Sequence, residues 1–140
     1  MKKVLFVCTG NTCRSPMAQG IFNSLAKEKS IDAKADSAGL MTANGIPYSE
    51  NAVKACENIG VNIKGGHSVS IQDVNLNAYD LLCPMTVSHA QALVNLGADK
   101  DKIMLLSADG ISDPYGGDIK VYEKCCLEIK QAIEKLIEKL

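Results

Sequence analysis

Residues 4–16 read VLFVCTGNTCRSP, an apolar run followed by a glycine-containing loop and a Ser-Pro pair. The apolar run, over residues 3–7, predicts a short buried β-strand that ends at Cys8. Ser15 and Pro16 are typical of the first turn of an α-helix, and apolar side chains then recur at every fourth position as far as Leu25. This stretch therefore predicts a strand joined to a helix by a short loop.

The same alternation continues along the rest of the chain. Further strands are predicted at residues 33–38, 79–85 and 102–106, and further helices at residues 50–59, 87–96 and 119–140. Pro84 is expected to end the third strand or to lie unpaired in it. Short apolar strands separated by helices predict an α/β fold of three layers, in which a central four-stranded, parallel, twisted sheet carries helices on both faces.

The length and charge of the chain limit its class. It has 140 residues and a formal net charge of −1. This length predicts a single domain over residues 1–140, and the charge favours neither nucleic acid nor an anionic membrane as a partner. No segment has the length of a transmembrane helix. The first apolar run is too short for a secretion signal, which favours a cytoplasmic location.

Cysteines occur at six positions: 8, 13, 56, 83, 125 and 126. In a cytoplasmic chain of this size we expect thiols rather than disulfides. No CxxC pair occurs, and the two histidines, His67 and His89, are distant in sequence from each other and from any cysteine cluster. We therefore expect no metal site and no bound cofactor.

The loop after the first strand has the composition of an anion site. Ligands of parallel α/β sheets bind beyond the carboxyl ends of the strands, where Cys8 is predicted to lie. Backbone N–H groups of such a loop and the helix N-terminus behind it attract an anion and are expected to lower the pKa of the Cys8 thiol. Gly10 and Asn11 both tolerate positive φ. Arg14 is the only arginine in the chain, and its planar fork can hold two oxygens of a tetrahedral anion, which lysine cannot do.

A thiolate and a phosphoryl group held together are arranged for attack at phosphorus. Ser15 is placed to donate a hydrogen bond to the sulfur, and Asp113, after the fourth predicted strand, is the candidate for the acid and base that such a reaction needs. Tyr115 would form a wall of the pocket. The competing interpretation is a buried cysteine, an exposed arginine and two ordinary turns, because short motifs also occur by chance.

The quoted stretch extends to VLFVCTGNTCRSPMA, and it is accompanied by DSAG at 36–39, AYDLLCPM at 78–85 and DPYGGD at 113–118. With these segments the whole chain resembles the low-molecular-weight protein phosphatases that act on phosphotyrosine or phosphoarginine. The resemblance implies that Cys8 becomes a cysteinyl phosphate and that Asp113 acts as general acid and then base. It further implies a phosphorylated protein as substrate, without metal. The phosphate would be bound by the loop residues Thr9, Gly10, Asn11, Thr12, Cys13 and Arg14, with Ser15 assisting the thiol.

The resemblance also extends to residues around the loop. Asn11, Ser15, Ser37 and His67 match the hydrogen-bond network that shapes the loop in this family, although an exposed loop histidine is an equal alternative for His67. Cys13 matches a second loop cysteine that forms a reversible disulfide with the nucleophile on oxidation and so protects it. A small buried thiol is the alternative for Cys13.

Thr12 is the residue that indicates which phosphorylated side chain is the substrate. Relatives that act on phosphotyrosine typically carry isoleucine at this position, whereas bacterial protein-arginine phosphatases carry threonine. A threonine hydroxyl can hydrogen-bond near a guanidinium, while a phenol ring prefers an apolar wall. Tyr115 is the one aromatic residue of the loop at 113–118 that contains Asp113, called here the acid loop. One aromatic ring can stack on a planar guanidinium. We therefore predict an arginine phosphatase, with a phosphotyrosine-specific phosphatase as the alternative.

Two other classes share parts of this pattern. Thioredoxin-coupled arsenate reductases have the same scaffold and C-x5-R loop, but they relay electrons through two further cysteines close together in mid-chain. Here Cys83 has no such neighbour, which disfavours a reductase. A non-catalytic module that binds phosphoanions is disfavoured because Cys8, Arg14 and Asp113 are all present.

Overall fold

The computed structural model describes residues 1–140 and confirms the predicted α/β fold, with a parallel sheet between helices. The strands are β1 (Lys2–Cys8), β2 (Ala33–Gly39) and β3 (Leu81–Pro84). The helices are α1 (Arg14–Glu28), α2 (Glu50–Glu57), α3 (Val87–Asn95) and α4 (Ile119–Glu138). Single-turn 3₁₀ helices lie at Ile71–Asp73, Leu76–Ala78 and Lys100–Lys102. No helix combines the length and apolar character needed to span a membrane.

The central strand β1 divides the core into two parts. The strand order is β2-β1-β3, and both pairings are parallel. Because alternate side chains of a strand point to opposite faces, Val4 and Phe6 pack into the larger cluster with α1, α2 and α4, while Leu5 and Val7 pack into the smaller one with Leu93 of α3. The run that looked uniformly apolar in sequence is thus buried on both faces.

The fourth predicted strand forms only in part. Residues 103–106 run parallel to β3, with one bridge between Leu82 and Ile103 and backbone hydrogen bonds from Met104 N to Leu82 O (2.9 Å) and from Leu106 N to Pro84 O (3.2 Å). Pro84, the last residue of β3, has no N–H to donate to this neighbour, so the ladder loses a hydrogen bond there. The sheet therefore has three full strands and a fourth partner at its edge.

The carboxyl end of β1 is where the remaining loops converge. Cys8 pairs in register with Gly39 at the end of β2, and the backbone N–H groups of Leu40 and Met41 donate to the carbonyls of Cys8 and Thr9 (2.9 Å each). The loop over residues 9–13 then leads directly into α1. Cys8 and this loop therefore lie beyond the carboxyl ends of the parallel strands.

Candidate active site

A cavity of about 230 Å³ opens inside the loop between β1 and α1. Its lining contains the predicted cysteine, arginine and carboxylate together with the single aromatic residue of the acid loop. The full lining set is Cys8, Thr9, Gly10, Asn11, Thr12, Cys13, Arg14, Asp113 and Tyr115. The fold thus brings residues 113 and 115 to a loop that is about a hundred residues earlier in the chain.

The Cys8 thiol lies at the base of this cavity and is almost fully buried, with 3% of the residue exposed. Its Sγ atom is 2.8 Å from Oγ of Ser15 and accepts a hydrogen bond from the backbone N–H of Asn11 (3.2 Å). Burial raises the pKa of the Cys8 thiol, while hydrogen bonds from Ser15 and Asn11 and the charge of Arg14 oppose that shift. The net direction is upward, contrary to the expected lowering, because desolvation of the thiolate outweighs the hydrogen bonds and the charge that favour it.

Asn11 shapes the loop from inside. It is fully buried and has a φ of 55°, so it is Asn11 rather than Gly10 that adopts the left-handed conformation. Its Nδ2 donates to the hydroxyls of Ser15 (2.8 Å) and Ser37 (2.9 Å), and its Oδ1 accepts from the backbone N–H of Val69 (2.8 Å). The structure therefore joins Asn11, Ser15 and Ser37 in one buried network.

His67 lies outside this network, so of the two interpretations from the sequence the structure favours the exposed loop histidine. Its side chain is exposed, and its backbone forms a bridge with Pro47. The segment instead contacts the network through Val69, whose backbone N–H donates to Oδ1 of Asn11. The buried Ser68 hydroxyl donates to the carbonyl of Ala43 (2.6 Å), outside the network. The segment around His67 thus lies beside the network, but the backbone of Val69 makes the contact with Asn11 and the His67 side chain does not.

Arg14 and Asp113 face each other across the cavity. The arginine side chain is 7% exposed and its Nη1 donates to the carbonyl of Ile111 (2.9 Å), while Nη2 lies 3.7 Å from Oδ2 of Asp113. The Asp113 side chain is 57% exposed, and its Oδ1 accepts from the backbone N–H of Tyr115 (3.0 Å). Tyr115 is 80% exposed. The buried Arg14 guanidinium thus lies beneath the Asp113 carboxylate and the Tyr115 ring, which both border solvent.

The far side of the loop is held by α2 and α4. The carbonyl of Thr12 accepts from the backbone N–H of Ser49, just before α2 (3.0 Å). Cys13 is buried, and its Sγ lies 3.3 Å from the hydroxyl of Tyr122 on α4. Burial and the contact with Cys13 raise the pKa of Tyr122 to about 12, so this phenol remains protonated. In the sequence Tyr122 lies within the predicted last helix, and nothing there indicated its contact with the loop.

A second residue missed from the sequence is His89. Its imidazole is buried, and Nε2 lies 2.8 Å from the hydroxyl of Thr9 at the start of the loop. Burial and the nearby charge of Arg14 lower the pKa of His89, while Asp113 opposes this shift. The sequence signal that could have identified His89 is its position in the first turn of the helix that follows β3. That turn lies at the same edge of the sheet as Cys8.

The remaining cysteines form no metal centre. All six are free thiols, and no group of three His, Cys, Asp or Glu side chains is arranged to hold a metal ion. Cys83 is fully buried in β3, where burial raises its pKa to about 12.

Comparison with known proteins gives matches along the whole chain. The family described as low molecular weight phosphotyrosine protein phosphatase matches residues 3–140. A protein-arginine-phosphatase of Geobacillus stearothermophilus is 34% identical over 99% of this chain and 95% of its own length, and a glutaredoxin arsenate reductase of Synechocystis is 31% identical over 100% and 99%. The structure of a low molecular weight protein tyrosine phosphatase from T. tengcongensis, 40% identical, superposes over the whole of both chains with a TM-score of 0.95.

Proposed function

This chain belongs to the low-molecular-weight phosphotyrosine protein phosphatase family, and from that premise we propose that it removes the phosphoryl group from phosphoarginine in proteins through a cysteinyl-phosphate intermediate. The observation that carries the proposal is the convergence of the Cys8 thiol, the Arg14 guanidinium and the Asp113 carboxylate on one cavity. These are the nucleophile, the anion-binding fork and the acid that phosphoryl transfer to a thiol requires.

In the first step the thiolate sulfur of Cys8 attacks phosphorus and a P–S bond forms. The P–N bond to the substrate guanidine breaks, and protonated Asp113 gives its proton to the departing nitrogen. Ser15 lies 2.8 Å from the sulfur and stabilises the thiolate before attack. The loop N–H groups and the Arg14 fork hold the phosphoryl oxygens, whose charge they offset throughout the transfer.

In the second step water attacks phosphorus and the P–S bond breaks. Asp113, now a carboxylate, accepts a proton from that water, and inorganic phosphate leaves while the Cys8 thiolate is restored. The exposed position of the Asp113 side chain suits this role, because the same carboxyl must reach both the leaving group and solvent water.

Two features support phosphoarginine as the substrate. Thr12, half-buried in the cavity wall, presents a hydroxyl where a larger apolar residue would favour a phenyl ring. Tyr115 places one exposed ring at the mouth of the cavity, where it can stack on a guanidinium plane. The similarity to a protein-arginine-phosphatase agrees with this choice.

Phosphotyrosine is the second candidate. The structure with 40% identity to this chain is described as a protein tyrosine phosphatase, and the ring of Tyr115 would also pack against a phenyl group. An arsenate reductase is disfavoured despite the similarity noted above. Cys83 is fully buried in β3 and has no second cysteine close to it in the sequence, so it lacks the neighbouring thiol that such a relay of electrons needs.

The test is turnover of matched phosphoarginine and phosphotyrosine peptides by the purified full chain. We expect faster turnover of phosphoarginine, loss of activity in Cys8→Ser and Asp113→Ala, and activity retained in Cys83→Ser. Faster turnover of phosphotyrosine would overturn the arginine assignment. Activity that survives in Cys8→Ser would overturn the mechanism, and thiol-dependent arsenate reduction that requires Cys83 would favour the reductase.

A further inference from the structure

His89 is a buried imidazole whose only polar side-chain contact is with the cavity loop. Its backbone N–H donates to Oγ1 of Thr86 (3.3 Å), which caps α3 and fixes the first turn of that helix. Nε2 then lies 2.8 Å from Oγ1 of Thr9. The other ring nitrogen, Nδ1, is buried without a partner. A buried polar ring that leaves one nitrogen unpaired costs free energy, so the contact with Thr9 is the feature that accounts for its placement.

Thr9 is held from two directions. Its backbone carbonyl accepts from the N–H of Met41 (2.9 Å), on the β2 side of the loop. Its hydroxyl contacts His89, on the β3 side. These two bonds fix the orientation of the peptide groups that follow Cys8. If either bond were lost, the backbone N–H groups at the start of the loop could turn away from a bound phosphoryl group.

The segment between β3 and α3 positions both ends of the cavity loop. Met85, just after β3, donates to the carbonyl of Val7 (3.0 Å) and accepts from the N–H of Ile111 (2.9 Å). The carbonyl of Ile111 in turn accepts from Nη1 of Arg14. Met85 therefore holds the arginine fork through Ile111, and the first turn of α3 holds the first loop residue through His89.

The charged groups near this imidazole are Arg14 and Asp113. Burial and Arg14 lower the pKa of His89 and Asp113 opposes them, with a net lowering that keeps the ring neutral near pH 7. A neutral imidazole has one donor and one acceptor nitrogen. Since unpaired buried donors are rarer than unpaired buried acceptors among backbone groups, the favoured tautomer carries its proton on Nε2 and donates it to Thr9.

We propose that His89 is a positioning residue: its buried imidazole fixes Thr9 at the start of the loop and so sets the affinity of the site for a phosphoryl group. This inference rests on the proposed function, because it assumes that the loop binds phosphate. His89 does not touch the reacting atoms and acts only through Thr9.

The test measures binding of inorganic phosphate, both as a competitive inhibitor and by calorimetry, to His89→Ala, Thr9→Val and the double variant. Thr9→Val keeps the loop N–H and the side-chain shape but removes the hydroxyl. Each single variant is expected to weaken phosphate binding by about three- to tenfold, as for one lost hydrogen bond, and the double variant no further. His67→Ala, which changes the exposed histidine, is the matched control and should bind like the parent.

The outcomes separate the two proposals. A parent chain that binds no phosphate would overturn the proposed function and this inference with it. A parent that binds, with His89→Ala and Thr9→Val either unchanged or additive, would overturn only the role of His89. If His89→Ala does not fold, Thr9→Val decides alone: a loss of affinity supports the proposal and an unchanged affinity overturns it.

A spectroscopic measurement addresses the tautomer directly. The chain has two histidines, so His67→Ala labelled with ¹⁵N-histidine reports on His89 alone. We expect a neutral ring protonated at Nε2 at pH 7, with an Nε2 signal that shifts in Thr9→Val. A cationic ring, or a signal that does not respond to the loss of the Thr9 hydroxyl, would contradict the proposed contact.

Discussion

Nη2 of Arg14 lies 3.7 Å from Oδ2 of Asp113, and the two side chains differ sharply in exposure, 7% against 57%. The guanidinium is fixed in the protein by its bond to Ile111, whereas the carboxylate lies at the solvent side of the cavity. In the proposed mechanism an incoming phosphoryl group would compete with the Asp113 carboxylate for the Arg14 guanidinium. Phosphate binding would then depend on Arg14 and the acid–base step on Asp113.

The first prediction separates these two roles. Asp113→Asn should lower kcat by about 10²- to 10⁴-fold, the usual contribution of a general acid, because the amide cannot protonate the leaving group. The loss should be smaller with p-nitrophenyl phosphate, whose leaving group needs little protonation. Phosphate should bind the variant at least as tightly as the parent, since a negative charge beside Arg14 has been removed. Weaker phosphate binding, measured by calorimetry, would contradict this assignment.

A second prediction concerns the thiol. Ser15 is the largest of the contributions that lower the pKa of Cys8 against the upward effect of burial. Ser15→Ala should therefore raise this pKa further, so that alkylation of Cys8 by iodoacetamide becomes slower at neutral pH and its pH profile moves upward. Ser24→Ala, an exposed position on the same helix, should leave the profile unchanged. A profile that stays in place in Ser15→Ala would show that the hydroxyl does not stabilise the thiolate.

The third prediction tests the substrate choice. Thr12→Ile replaces a hydroxyl in the cavity wall by apolar surface, so the ratio of kcat/KM for phosphoarginine to that for phosphotyrosine should fall by about tenfold, as for a change in apolar packing and one lost polar contact. Both peptides should share one flanking sequence. An unchanged ratio would mean that another residue selects the substrate.

The fold and the central residues of the site followed from local patterns. The apolar run before Cys8, the Ser-Pro pair after the loop and the position of Asp113 after the fourth apolar segment each report the end of a strand, and parallel topology brings such ends together. His89 follows the third strand and could have been found in this way, whereas Tyr122 could not. The partner of Tyr122, Cys13, is 109 positions away, and Tyr122 also fits a plain helical pattern.

Other differences arise from competing physical effects that a pattern does not reveal. The pKa of Cys8 depends on how far burial outweighs the nearby donors, which only the packed structure decides. The fourth strand is limited by Pro84, whose missing N–H faces that strand. His67 was matched to the network by resemblance, with an exposed histidine as the alternative, but the contact is made by the backbone of Val69. The type of a residue therefore predicts its contacts only where the side chain, and not the backbone, makes them.

A fourth prediction concerns oxidation. If Cys13 captures oxidised Cys8 as a disulfide, the parent should lose activity in hydrogen peroxide and regain it with dithiothreitol, whereas Cys13→Ser should be inactivated irreversibly as the sulfenic acid oxidises further. Cys125→Ser, at a buried cysteine outside the cavity lining, is the control. Mass spectrometry should detect the Cys8–Cys13 disulfide in the parent. Equal recovery of Cys13→Ser would exclude this role.

The last prediction uses two glycines beside the loop. A Cβ atom at Gly39 would lie 2.8 Å from the carbonyl oxygen of Thr9 and 2.7 Å from Cγ2 of Thr42, whereas at Gly10 the nearest atom, Oγ1 of Thr12, is 3.8 Å away. Gly39→Ala should therefore lower the free energy of unfolding by about 1–3 kcal/mol, as for other overpacked sites, and displace the loop at Thr9. Gly10→Ala should change it by less than about 0.5 kcal/mol. Urea denaturation of both variants tests this difference. If Gly39→Ala loses no more free energy of unfolding than Gly10→Ala, the backbone of β2 accommodates the methyl group without cost to the loop.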